Sequence, residues 1–499
     1  MAASDPSPPA SAKGAALYLG VAQVARLALT TLSTIVLSRL LTPDDFGVIA
    51  MTAPVVALIW MFQDLGLSAA AVQRETLAPE ESVALFWVNM AASLSLALVL
   101  LLLAPGVALF YGEPRAGYVT AASGATVLVT GLTLQHAALL NRSMRFAALS
   151  IAEVANAAVA LAAAAIAALL LRSYWALVIG SLAGALTQAL LLWRAVRLRP
   201  GWRPRFAAAR SMLRFGGDVT GFNLVNFFVR NADNVLIARF AGSSAIGLYD
   251  RSYKLMMLPI QNINAPLNRL LLPLLSRARG EPERYRRSFL LSARAVMLAS
   301  APGVAVATVL SDQLMPFLLG RQWAGAGPIF FWLGLTGLVQ PIANLTGVLF
   351  MSSGNTRTMV RLGLWSALLT LAGFGLGLWW GGAVGVAASL FVTAIVRLPV
   401  IFALAVRGTS LGARDLWEVQ LEPLLGAGVG AALAWALAPH WSILANLALS
   451  LPLAYLAAFA TSSVSPRGRA ASTQLWSIAR GALHGAAARL RPAIARGAR

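Results

Sequence analysis

The chain has no cysteine in 499 residues, which removes disulfides, thiolate catalysis and iron–sulfur chemistry together. Histidine is nearly absent too: His136, His440 and His484 stand far apart with no metal-ligand spacing, so the sequence offers no zinc site. No GxxxxGK[ST] stretch occurs, so this chain carries no P-loop to hydrolyse ATP. Charge is scarce at 11% of residues, and acids are scarcer than bases, 18 against 39. What fills the space is apolar: 59% hydrophobic residues and a mean hydropathy of +0.74 leave too little polar surface for a soluble protein of this size.

A hydrocarbon core of roughly 30 Å takes about 20 helical residues per crossing. Apolar runs broken by short polar or Gly/Pro punctuation predict about fourteen crossings, near 14–37, 46–71, 83–110, 117–139, 148–171, 174–193, 216–238, 247–274, 288–310, 325–350, 360–380, 382–406, 419–438 and 441–462. The expected fold is an all-α polytopic membrane protein. The leader MAASDPSPPASAKG has no compact apolar core before a cleavage site and reads as uncleaved.

The net charge of +21 follows the positive-inside rule. Seven arginines with no acid follow the sixth segment (Arg194, Arg197, Arg199, Arg203, Arg205, Arg210 and Arg214), and the tail after residue 466 carries seven more. Eight segments separate the two clusters, an even number, so both fall on one side and both termini are expected in the cytoplasm. Nucleic-acid binding would need basic residues and stacking aromatics on a soluble surface, and no soluble domain is present. The tail itself, with Leu475, Ile478, Leu483 and Leu490 at roughly helical spacing beside Trp476, reads as an interfacial helix.

Polar residues of the first segment recur 200 positions later. Gln23, Arg26, Thr30, Ser33 and Thr34 are answered by Asn223, Asn226, Arg230, Asp233 and Asn234, and in each set the spacing keeps the side chains on one helical face. Ser38-Arg39 answers Ala238-Arg239, Gly47 answers Gly247, Asp64 answers Asn264, Gly112 matches Gly320, and Gly180 with Gly184 matches Gly381 with Gly385. Each repeat holds six segments, so the two keep one orientation and are expected to be related by an axis near the membrane normal, with their stripes facing a shared wet cavity. The implied division is 1–200, 201–408, and 409–499 for two extra segments and the tail.

Ionised side chains inside apolar segments cost about 2.5–3.5 kcal/mol each even on a lenient insertion scale. The chain nevertheless places Arg26, Asp64, Arg230, Asp233, Asp250, Arg251, Lys254 and Arg269 in or near them. Arg230 with Asp233, and Asp250 with Lys254, can cancel as intrahelical pairs; Arg26 has no acid on its own helix. A guanidinium fork suits bidentate recognition of phosphate. The candidate substrate-binding residues are therefore Arg26, Arg230, Arg251, Lys254 and Arg269, with Gln23, Asn223, Asn226 and Asn234. Asp64, Asp233 and Asp250 are the candidates for binding a coupling proton or sodium ion, Asp64 first because the other two have basic neighbours. Pro54, Pro259 and Pro266 favour bends in the helices that would move.

The stretch RFGGDVTGFNLVNFFVRNADNVLIARFAGSSAIGLYDRSYKLMMLPIQNINAPLNRLLLPLLSR (214–277) resembles the start of the second lobe of Wzx-type polysaccharide flippases, in the multidrug/oligosaccharidyl-lipid/polysaccharide exporter superfamily. LSRLLTPDDFGVIAM (37–51), FLLGRQW (317–323) and GNTRTM (354–359) follow the same family in order, and the LYDRSYKL…LPIQNINAPL block most resembles the exopolysaccharide and capsule branch. The resemblance implies fourteen helices, no enzymatic activity, and movement of an undecaprenyl-pyrophosphate-linked oligosaccharide from the cytoplasmic to the periplasmic leaflet of a bacterial inner membrane, alongside a polysaccharide polymerase and glycosyltransferases. Two other classes stay open. A multidrug antiporter of the same superfamily would favour an acidic or apolar cavity, and a membrane-embedded polymerase or ligase would carry a large periplasmic loop with reactive residues.

Overall fold

The computed structural model describes residues 12–63, 78–196, 198, 200–201 and 210–465, with 468–469, 472–474 and 477 of the tail. Helices account for nearly all of this and no strand occurs among the described residues. In chain order they are α1 (Ala12–Leu40), α2 (Pro43–Gln63), α3 (Pro79–Tyr111), α4 (Pro114–Arg142), α5 (Phe146–Leu171), α6 (Trp175–Ala195), α7 (Arg210–Arg277), α8 (Pro282–Val309), α9 (Ser311–Leu319), α10 (Ala326–Ser353), α11 (Thr356–Ala405), α12 (Ala413–Leu437) and α13 (Ile443–Ser462). α7 and α11 are each two limbs. The 68-residue α7 breaks at Gly242, where φ is 86°, and the 50-residue α11 breaks at Gly381–Gly382, where Gly382 has φ 57°. A side chain at either positive-φ position would be strained, so glycine sets where each chain reverses. Counting both limbs and leaving out the nine-residue α9 gives the fourteen expected crossings among the described residues.

Among the described residues, eleven of these helices are long and apolar enough to cross a membrane by length and composition; α7 is not among them. The protein is a multi-pass membrane protein. Pro54 and Pro259 lie within helix, and the interior break of α7 falls at Gly242. Gly112 and Gly320 both have positive φ and terminate α3 and α9; Gly320 was expected at the end of the third long helix of its repeat, but α8 already ends at Val309 and Gly320 closes the nine-residue α9 instead.

The described chain packs as two compact units, residues 1–248 and 249–499. In the first, buried polar contacts lie among the apolar side chains: Gln63 Nε2 donates to the Val127 carbonyl at 2.7 Å and lies 3.0 Å from Ser93 Oγ, and His136 stacks on Trp193 with ring centroids 4.8 Å apart. Gly180 and Gly184 let α6 press against Ala160, Ala164 and Asn156 of α5, the close helix approach that small residues allow. In the second unit a large core joins α7, α8, α10, α11 and α12 around Phe289, Leu345, Leu349 and Phe402. Gly385 meets Gly377 across the two limbs of α11, while Gly381 touches nothing and serves the turn.

Candidate functional site

The stripe of α1 emerges from an apolar helix whose 3.6-residue period keeps it on one face. Gln23, Arg26 and Thr30 are exposed, and Ser33 and Thr34 are half-buried. Arg26 Nη2 donates to Gln23 Oε1 at 2.8 Å, and Nη1 to Glu153 Oε2 of α5 at 3.3 Å, an ion pair whose side chains are 46% and 38% exposed. Thr30 and Thr34 return their hydroxyls to the carbonyls of Arg26 and Thr30, which satisfies them without a partner helix. The guanidinium therefore stands in an exposed polar strip with part of its fork engaged.

The first limb of α7 carries the second stripe. Arg230 is exposed, Asp233 is buried, and Asn234 donates its backbone N–H to Asp233 Oδ1 at 2.8 Å. Asn231 donates its amide to the Phe227 carbonyl at 2.8 Å. The side chains of Asn223 and Asn226 lie outside the described residues, as do Asp64 and the side chain of Arg269. Asn264, the repeat partner of Asp64, is buried and its amide finds no hydrogen-bond partner among the described residues.

On the second limb of α7, Asp250 forms the centre of a compact cluster. Its Oδ2 lies 2.8 Å from Lys254 Nζ, one turn along, and 3.4 Å from Arg251 Nε. The carboxylate is 8% exposed and Lys254 is 53% exposed, so a buried acid holds two cations, one of them reaching out. One carboxylate against two cations leaves the cluster net positive, which suits an anion.

Several ionised groups escaped sequence reasoning. Arg286 of α8 forms a fork with Asp415 of α12 at 3.1 and 2.6 Å, and further along the same two helices the buried Arg294 pairs with Glu422. Glu153 completes the Arg26 pair. Arg397, half-buried on the second limb of α11, pairs with no carboxylate among the described residues. For Glu153, Arg294, Arg397 and Glu422 the signal was a charge inside an apolar run; the partners of Arg26, Arg286 and Arg294 were hidden because they lie on other helices.

Where α1 leads into α2 and where α7 breaks, two segments 200 residues apart meet backbone to backbone. A Cβ on Gly47 would run into the Ser243 carbonyl, and one on Gly247 into the Pro43 carbonyl. The contact is reciprocal: 43 meets 247 and 243 meets 47. Asp44 accepts from Ser243 Oγ and from Arg115 Nη1 at 2.6 Å, and Arg115 also binds Glu113 at 2.7 Å. The hydrogen bond from Arg115 holds the Glu113 carboxyl below the usual carboxylate range. No group of three or more His, Asp or Glu side chains that could hold a metal occurs among the described residues.

Residues 36–328 match the family model described as polysaccharide biosynthesis protein. The chain is 21% identical to the lipopolysaccharide biosynthesis protein WzxC of Escherichia coli K12 over 77% of its own length and 78% of that protein. It is 26% identical to the succinoglycan biosynthesis transport protein ExoT of Rhizobium meliloti over 61% of its own length and 62% of that protein, so the chain spans less than two thirds of this relative. In fold it is similar to the lipid II flippase MurJ in an inward closed conformation, with a TM-score of 0.71 at 12% identity, covering 90% of this chain and 98% of that one. An inward-facing multidrug transporter of the MATE family is similar at a TM-score of 0.60 and 13% identity, over 82% and 99%.

Proposed function

The chain belongs to the polysaccharide biosynthesis protein family, and on that premise we propose that it is a flippase for lipid-linked oligosaccharide repeat units, carrying an undecaprenyl-pyrophosphate-linked sugar from the cytoplasmic to the periplasmic leaflet of a bacterial inner membrane. It is a transporter and not an enzyme, in keeping with relatives and fold neighbours named for transport and flipping. The observation that carries the substrate class is the cationic character of the charged residues within the helices. Arg26 on its exposed polar strip and the net-positive Asp250–Arg251–Lys254 cluster present guanidinium and ammonium donors inside a hydrophobic fold. Such groups on otherwise apolar helices suit the binding of an anion, and a pyrophosphate with acidic sugars supplies one.

The proposed cycle is alternating access. The 43–47 and 243–247 contact closes the ends of helices bearing the odd-numbered connections, the side opposite the arginine-rich link and tail, which we assign to the periplasm with both termini cytoplasmic. The repeats 1–200 and 201–408 are the proposed moving halves, with 409–499 flanking them. Coupling by a proton or sodium ion is assigned to one of Asp64, Asp233 and Asp250, because a ligand shifts an equilibrium only through differential affinity for its states. The polymerase and glycosyltransferases of the same route are the proposed partners.

The MATE-like fold favours a second reading, a multidrug antiporter. The test separates the two. A deletion strain should accumulate lipid-linked repeat units in the cytoplasmic leaflet with unchanged resistance to cationic drugs, and purified protein in liposomes should carry a fluorescent prenyl-pyrophosphate-linked oligosaccharide across the bilayer. Altered drug resistance with normal polysaccharide export would overturn the flippase reading.

A further inference from the structure

Between α2, α3 and the first limb of α7, all within the first compact unit, lies a cavity of about 280 Å³. Its walls are Pro54, Val55 and Leu58 of α2, Leu103 to Tyr111 of α3, and Phe227, Asn231 and Val235 of α7. Leu103 and Phe110 are about half exposed, so the cavity opens sideways where lipid chains would lie. At 1.5 Å per residue the stretches 103–111 and 227–235 each run about 12 Å along their helices, so the cavity is a slot parallel to them. At its upper end the Arg239 guanidinium sits 6.0 Å from the Phe110 ring centroid and 5.4 Å from that of Phe240. Arg239 is exposed and has no carboxylate partner among the described residues.

We infer that this slot is a lipid site of defined polarity: the isoprenoid chain of a prenyl-pyrophosphate-linked oligosaccharide lies between α2, α3 and α7, and the pyrophosphate rests against Arg239. The inference rests on the flippase reading and adds to it a place where the translocated lipid is held in the outer leaflet before release. Three features choose the occupant. The walls are apolar apart from the Tyr111 hydroxyl and Asn231, whose amide is already bound to the Phe227 carbonyl. The charge at the rim is positive and aromatic-supported, so it suits an anionic head and leaves the fork free to turn toward phosphate. The head end lies at the level of the α7 break, and the slot descends from there toward mid-membrane along the helix that also bears Arg230, Asp233 and Asn234. A lipid of the leaflet on that side has this same head-up, tail-down order. Arg239 is also the repeat partner of Arg39, a pairing the transport scheme above leaves unused.

The test uses full-length protein in nanodiscs and a diazirine-bearing prenyl pyrophosphate as probe. Crosslinks are expected on the peptides containing Leu103 and Phe227. Gly106 lines the slot and a Cβ there meets nothing within 4 Å, so Gly106→Leu fills it without displacing neighbours. This variant should lose these crosslinks about tenfold, as should Arg239→Gln, since a charge-assisted bond of this kind is worth roughly a factor of ten. With the uncharged prenol probe, Arg239→Gln should have no effect and Gly106→Leu should still block. Crosslinks undiminished in Gly106→Leu, or competed equally by phosphatidylglycerol and by prenyl pyrophosphate, would overturn the site in favour of general lipid contact. Crosslinking at other helices alone, with liposome transport intact, would remove this site and leave the flippase reading standing; absence of transport in wild-type protein would remove that reading instead.

Discussion

The contact between 43–47 and 243–247 and the seam between α8 and α12 are built in opposite ways. In the first, glycine backbones meet carbonyls, and the polar ties beside them, Asp44 with Ser243 and Arg115, are partly exposed. In the second, Arg286 and Arg294 pair with Asp415 and Glu422 between helices, the latter arginine only 4% exposed, and Gln420 adds a bond to the Leu338 carbonyl. Breaking a buried pair strands a charge, which costs several kcal/mol, whereas parting two backbones whose polar groups can find water costs little. The first contact has the chemistry of a surface that opens and closes, and the second that of a permanent joint which fixes α12, and through its Gly426 and Gly430 packing α13, to the second unit.

The largest effect should come from the joint. Arg294→Leu should lower stability by up to about 3–5 kcal/mol, because the half-buried Glu422 is left without its partner, while Arg294→Leu with Glu422→Leu should recover most of the loss. Thermal unfolding of full-length protein in detergent reads both. If the single variant is as mild as the double, the seam is no rigid joint and the contrast fails.

This joint also marks how far the residues could be read without coordinates. Helix number was legible because apolar run length and Gly/Pro punctuation are local signals; that Gly112 and Gly320 each end a helix was legible too, but not that Gly320 ends the short α9 rather than a helix of membrane-spanning length. The Asp250–Lys254 pair was legible for the same reason, being one turn apart on one helix. Glu153 beside Arg26, and Glu422 beside Arg294, were not, since their separations of 127 and 128 residues leave no trace in any local pattern. Gly381 shows the other limit: as part of a small-residue pair it reads as a packing residue, yet it belongs to the turn between the limbs of α11, and Gly385 alone does the packing.

The closing surface should respond to added bulk in motion more than in stability. Gly47→Val places side-chain atoms where the Ser243 carbonyl lies, so the closed contact cannot form, while the helix loses nothing else. With no native cysteine, spin labels at Thr42→Cys and Ser244→Cys report only this contact. The label distance should lengthen by several ångström and transport should fall about tenfold, with unfolding changed by less than about 1 kcal/mol. A wild-type distance in Gly47→Val would show that the backbone contact is incidental.

Arg26 sharpens the comparison from a third position, since its pair with Glu153 is exposed where that of Arg294 is buried. An exposed pair is worth about 0–1 kcal/mol, so Arg26→Ala should leave unfolding almost unchanged. If the guanidinium binds the pyrophosphate, transport should nonetheless drop by about tenfold or more, and Arg26→Lys should restore it only in part because the fork is lost. Full transport by Arg26→Ala at matched membrane abundance would remove Arg26 from the substrate site.

The smallest effect concerns acid. Arg115 holds Glu113 below the ordinary carboxylate range, so the stabilisation this carboxylate contributes is present above its unfolded value and is lost as pH falls through the lower, folded one. Between pH 7 and pH 5 both forms stay ionised, and the 42–244 label distance should not move. Below about pH 4, the ordinary range for such a group, protonation weakens the Glu113–Arg115–Asp44 chain and the distance distribution should broaden toward the open form. Glu113→Gln should reproduce that broadening at pH 7 and remove its pH dependence. The shift should be modest because Arg115 keeps Asp44 as a second partner. A broadening already complete at pH 6 would place the titrating group elsewhere, on a carboxylate with a raised value, and would point from the 43–47 and 243–247 contact to the acids proposed for ion coupling.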